Sequence, residues 1–174
     1  MGIQFETDYN METLTAMAKG LRKTVRKKRS RRVHIFAAVV LILGLLTILA
    51  TTAGGEPLGA SGVVTLLAML VVILVSLFED KLNAWFARKR LLPGTEHAAA
   101  TFEEDGYVSA TSMSESKFSY AQIVAVAETA RYFVFALSSC HTQAYDKRNI
   151  RGGSVEDFRA FIAEKTGKLV EDIK

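Results

Sequence analysis

Two uninterrupted apolar runs, residues 33–53 and 58–78, stand four residues apart between blocks of Lys and Arg, and neither contains Asp, Glu, Lys or Arg. A helix rises about 1.5 Å per residue, so roughly 20 residues cover the roughly 30 Å hydrocarbon core of a bilayer. Each run meets that length, which predicts a transmembrane helical hairpin. The 32 residues ahead of the first run are too many for the positive region of a signal peptide, and the run exceeds an apolar signal core.

The positive charge predicts the orientation. Nine Lys and Arg residues lie between Lys19 and Arg32, and Lys81, Arg88, Lys89 and Arg90 follow the second run. Residues 52–62 carry no Lys or Arg, and Glu56 is their only charge. By the positive-inside rule both termini are cytoplasmic and the Gly-Gly-Glu-Pro turn faces outward. Arg29, Arg31 and Arg32 before the hairpin, and Trp85, Arg88, Lys89 and Arg90 after it, are the expected interface anchors.

Residues 1–94 carry 13 basic and 6 acidic side chains, whereas residues 95–174 carry 9 basic and 12 acidic. The basic half abuts the membrane runs, so anionic headgroups account for it without nucleic acid. Cys140 is the only cysteine, which rules out an intrachain disulfide, and His34, His97 and His141 are too scattered for a zinc cluster.

Four regions follow. Residues 1–32 open with an alternating strand-like segment, then Asp8 as the cap of a helix with apolar positions Met11, Leu14, Met17, Leu21 and Val25. That stripe suits either a membrane surface or the soluble domain. Residues 33–78 form the hairpin. Small side chains at Val40, Gly44, Thr47 and Thr51, and at Thr65, Ala68, Val72 and Ser76, give each helix a face for close approach. Residues 79–94 continue as an interfacial basic helix ended by Pro93-Gly94.

Residues 95–174 read as a small antiparallel β-sandwich or barrel of about six strands, capped by a carboxy-terminal helix. Asp105-Gly106 makes a hairpin turn between Ala99–Phe102 and Tyr107–Thr111. Further strands are expected at 117–120, 123–128, 132–137 and 142–145. Ser154 with Asp157 forms a capping box before the apolar face of Val155, Phe158, Phe161 and Ile162.

Catalytic patterns are weak. Cys140 and His141, if on a strand, point to opposite faces and cannot form a dyad. Glu103, Glu104 and Asp105 form a solvated hairpin tip, because one acidic cluster without further spaced ligands does not build a calcium loop. The runs lack the buried charge that ion-coupled transport needs. A homo-oligomeric pore lined by Thr47, Thr51 and Thr65 is compatible with the runs, though nothing in the sequence supports it. One polar constellation suits an anion or lipid headgroup: Lys147, Arg148 and Arg151, followed by Gly152-Gly153 and Ser154 at a helix start. The alternative is a basic loop that faces anionic lipid or pairs with acidic neighbours.

Several motifs carry a family resemblance: Thr101-Phe102-x-x-Asp105-Gly106, Tyr120-x-x-Ile123, Glu128-Thr129-x-x-Tyr132-Phe133, Lys147-Arg148, and Gly153-Ser154-x-x-Asp157-Phe158-Arg159-x-Phe161-Ile162. In these the chain resembles the bacterial YcxB-like family. The resemblance implies an α+β membrane protein with a two-helix hairpin and a cytoplasmic pleckstrin-homology-like domain; it supplies no reaction. Tyr120 stands where that family often has tryptophan, and Tyr145-Asp146 where an apolar residue and a proline often precede the Lys-Arg pair. The expected role is a non-enzymatic adaptor or regulatory subunit at the bacterial inner membrane. It would use no cofactor and would engage an unidentified protein partner and anionic lipid. The other expectation is an immunity or inhibitory protein acting through the hairpin.

Overall fold

The computed structural model of the chain describes residues 2–54 and 59–173. The predicted outward turn spans residues 54–57, and of these residues 55–57 lie outside the described residues. The architecture is α+β: two long apolar helices beside a domain of two β-sheets. One sheet is antiparallel, in the order β4 (Glu115–Phe118), β3 (Tyr107–Thr111), β2 (His97–Phe102), β1 (Ile3–Asp8), β8 (Ile150–Arg151). The other runs β7 (Thr142–Asp146), β6 (Tyr132–Ala136), β5 (Ala125–Glu128), β9 (Val170–Asp172), with β9 parallel to β5.

The amino-terminal strand is interior to its sheet. β1 pairs with β2 from Ile3 opposite Phe102 to Asp8 opposite His97, and Gln4 and Phe5 face β8 on its other side. A domain boundary at residue 95 therefore separates strands that the fold pairs. The chain is still extended at Asp8, so the first helix, α1 (Met11–Lys23), is capped instead by Asn10, whose side chain accepts from the amides of Glu12 and Thr13. Where a strand was expected to reach Tyr120, β4 stops at Phe118. A Ser119–Gln122 capping box then turns the chain through a short 3-10 turn.

Between the sheets lies an aromatic core. Phe158, on helix α5 (Val155–Thr166), stands 4.6 Å from Phe5 and 4.8 Å from Phe102 of one sheet, and 5.0 Å from Phe133 of the other, measured between ring centroids. These edge-on contacts explain why α5 closes the sandwich: one ring fills the gap that both sheets leave. The predicted Ser154–Asp157 capping box is present, and Gly167 ends the helix at φ 63°. Gly106 must lack a side chain, since a Cβ there would meet Phe118 O at 2.5 Å.

All five residues of β6 are buried, which an alternating one-faced strand does not show. Phe133 and Phe135 enter the core, while Tyr132 and Val134 are covered on the opposite face by Ala16 and Met17 of α1. The amphipathic stripe of α1 thus packs on the domain: Leu14, Ala16 and Leu21 are buried, and Gly20 brings the helix backbone against Val134.

Helix α2 (Lys27–Ala53) and helix α3 (Ala60–Leu77) are long and apolar enough to cross a membrane, and no part of either is buried in the protein. α2 begins within the basic block, so its charged first turn and its apolar run form one rod. Within the apolar runs the partly covered positions are Ala37, Val40, Leu41, Gly44 and Ile48 on α2, and Gly62, Thr65, Met69, Val72 and Ser76 on α3. Gly44 faces Met69 and Thr65, whereas Thr47, Thr51 and Ala68 are exposed. The predicted small-residue faces therefore meet in part, rotated so that Thr47 and Thr51 bond only to carbonyls of their own helix. After Phe78 the chain continues as α4 (Glu79–Lys89), whose fully buried Ala84 packs toward α1.

Candidate functional site

The basic loop after β7 does not converge on one point. Lys147 Nζ donates to Glu128 Oε1 at 2.8 Å, Arg148 Nη2 reaches Asp146 Oδ2 at 3.2 Å, and Arg151 lies 3.2 Å from Glu6 on β1. The Ser154 hydroxyl donates to Asp157 Oδ2 at 2.6 Å and accepts from its amide at 3.0 Å. Three cations thus face three different carboxylates, and the helix-capping hydroxyl is spent on its own box. Asp146 stands two residues before Arg148, whereas Glu6 and Glu128 come from β1 and β5, which no local motif announces.

The residues expected as interface anchors sit on α2 and α4, with Arg90 directly after α4. Arg29, Arg31, Arg32, Arg88, Lys89 and Arg90 are exposed, and Trp85 is half exposed with Lys89 Nζ 3.6 Å from its ring centroid. Both helices are fixed to the domain by a contact that charge counting along the chain does not show. Arg22 of α1 donates from Nε and Nη2 to the two carboxylate oxygens of Asp80 at 2.7 and 2.6 Å. That bidentate bond raises the Arg22 pKa further above its already high value. Arg26, just before α2, donates from Nε to Ser139 O at 2.6 Å in the β6–β7 turn. The available signal was Glu79-Asp80, an acidic pair directly after an apolar run in an otherwise basic stretch.

A groove of about 970 Å³ lies between α1, the β5–β6 turn and β9. Its floor is apolar, with Ala16, Tyr132, Val170 and Ile173. One end is closed by Glu128, 8 % exposed, which is gripped by Arg159 at 2.7 and 2.8 Å and by Lys147. Arg159 foremost, with Lys147, holds the Glu128 carboxyl below the usual range despite its burial. At the other end stand Lys19 and Lys81, neither with a carboxylate partner among the described residues. The groove's threonines are also committed: Thr15 donates to Met11 O and Thr129 to Tyr132 O. What the groove offers a ligand is an apolar floor, the exposed carboxylates of Glu12 and Asp172, and the ammonium groups of Lys19 and Lys81, the latter 5.6 Å from the Phe78 ring centroid.

No family model matches the chain, and no curated protein or solved structure matches it either.

Proposed function

We propose that the chain is a two-span membrane protein of the bacterial inner membrane. Its two-sheet domain, of pleckstrin-homology-like design, would lie on the cytoplasmic side and act as a non-enzymatic adaptor or regulatory subunit. The observation that carries this reading is the groove beside α1: an apolar floor bordered by Lys19 and Lys81, neither with a carboxylate partner among the described residues, suits an acidic partner segment with one apolar face. The two helices support the membrane part, because their apolar surfaces are left uncovered by the rest of the protein. Two sheets closed by a carboxy-terminal helix support the domain type. α1 and α4 then act as a bracket, since Arg22–Asp80 ties the groove's helix to the start of α4, directly after α3, and fixes the groove relative to the bilayer.

The test is site-specific photo-crosslinking in cells that express the full chain. Probes replace Thr15 or Ala130 in the groove, or Ile42 on the outer surface of α2. Discrete protein adducts from the groove, lost on Lys19→Glu with Lys81→Glu, support the adaptor reading. Adducts from Ile42 alone would instead favour the inhibitory protein acting through its hairpin. Topology is checked by labelling with an impermeant maleimide in intact cells of a Cys140→Ser background. Glu56→Cys should react and Met113→Cys should not; labelling at Met113→Cys would overturn the orientation.

A further inference from the structure

A second cavity, of about 550 Å³, lies between α1, the start of α2, α4 and the β6–β7 turn. Four arginines line it, Arg22, Arg26, Arg29 and Arg90, against one carboxylate, Glu79. Arg22 is neutralised by Asp80, and Arg26 spends its Nε on Ser139 O. The side chains of Arg29 and Arg90 have no hydrogen-bond or ion-pair partner among the described residues, although both border the same hollow. Guanidinium groups are donors only and cannot lose their charge, so a cavity that gathers several of them is built for an oxyanion.

The rest of the lining decides which oxyanion. Val33, the first residue of the apolar run, and Phe86 of α4 form part of the wall. Arg29 precedes Val33 by one helical turn, about 6 Å along the axis. The charged and apolar parts thus follow one another in the direction of the bilayer, as the phosphate and the first acyl carbons of a phospholipid do. A soluble phosphate would use the arginines and leave the apolar wall wet.

We infer that this crevice is a binding site for an anionic phospholipid of the adjoining leaflet. Its phosphate lies between Arg26, Arg29 and Arg90, and its glycerol and acyl chains lie along Val33 and Phe86. The assignment rests on the proposed membrane insertion, and basic hollows between helices at a membrane surface are suited to such headgroups. It differs from general attraction of a basic surface to lipid, because Arg31 and Arg32 carry the same charge on the same helix and do not line the crevice.

Cys140, exposed on the crevice wall and the only cysteine of the chain, supplies the probe. The full chain in uncharged detergent is titrated with phosphatidylglycerol, phosphatidylcholine or inorganic phosphate, and the alkylation rate of Cys140 is followed. Phosphatidylglycerol should protect the thiol at physiological salt, and the other two should not. Arg29→Gln with Arg90→Gln should raise the phosphatidylglycerol concentration for half-protection by about thirtyfold, on the basis of two basic residues at a lipid surface. Both side chains lack partners in the fold, so this variant should unfold at the wild-type temperature. Arg31→Gln with Arg32→Gln should shift half-protection far less. Equal loss in the two variants, or equal protection by phosphatidylcholine or inorganic phosphate, would overturn the site. Release of the chain from native membranes by alkaline carbonate would overturn the insertion and the site with it. Retention without phosphatidylglycerol protection would overturn the site alone.

Discussion

Glu128 combines burial with two cationic partners from distant parts of the chain, Lys147 after β7 and Arg159 on α5. Its folded-state pKa is depressed, so the folded protein binds this proton less readily than the unfolded chain. The stability it contributes is complete above the unfolded carboxyl value of about 4.3 and is lost as pH falls through the lower folded value. Thermal unfolding of the full chain in uncharged detergent should therefore show Tm falling in acid, and Glu128→Gln should make that fall shallower. At neutral pH the same variant should lower stability by about 1–3 kcal/mol rather than the larger cost of a fully buried pair, because Arg159 can still reach water. An unchanged acid slope would show that Glu128 does not titrate as its surroundings demand. The sequence singled out Lys147 and named Glu128 only within a family motif, since the carboxylate that engages Lys147 lies 19 residues earlier and is joined to it only across the β5–β6–β7 meander. Tyr120 is the converse case: its hydroxyl donates to Glu103 O at 2.6 Å, a use for tyrosine at a position that the resembled family often gives to tryptophan.

α1 is held to the outer face of β6 by shape as much as by apolar area. A Cβ added at Gly20 would stand 2.7 Å from Val134 Cγ1 and 3.0 Å from its Cβ, closer than packed carbons tolerate. Gly20→Ala gains about 1 kcal/mol of helix propensity, while overpacking costs about 1–3 kcal/mol. Val134 sits on the central strand pair of its sheet and cannot retreat, so the clash should win and Tm should fall. Val134→Ala combined with Gly20→Ala should recover part of the loss relative to the sum of the two single variants, which a double-mutant cycle measures. Strict additivity would mean that α1 does not press on β6 there. The helical stripe of α1 was legible from Met11 to Leu21, although the expected Val25 falls in the turn after Lys23; its partner was not, since a stripe facing lipid and a stripe facing a sheet have the same period. α5 was easier to place, because its capping box, its apolar face and Gly167 are all local signals.

The two-sheet domain is discontinuous in sequence, with the two apolar helices inserted between β1–α1 and β2. Deleting the amino-terminal segment removes an interior strand of one sheet and, with Phe5, a ring that packs on Phe102, Phe133, Tyr145 and Phe158. A fragment of residues 95–174 should therefore show no cooperative thermal unfolding, whereas a chain in which a flexible linker replaces residues 27–78 should retain it. A sharp transition in the short fragment would restore a boundary at residue 95. The sequence by itself determined the two apolar helices, the charge asymmetry around them, the hairpin at Asp105-Gly106 and the limits of α5. Each follows from composition, period or a capping residue within one continuous stretch of chain. Only the tertiary structure decided that β1 closes a sheet, that Arg22 and Asp80 lock α1 to α4, that the predicted anion loop is dispersed among carboxylates, and that arginines from three helical segments border one crevice. Most of these pairings join residues far apart in the chain, and what selects them is burial of the aromatic core and neutralisation of charge, which no local pattern encodes.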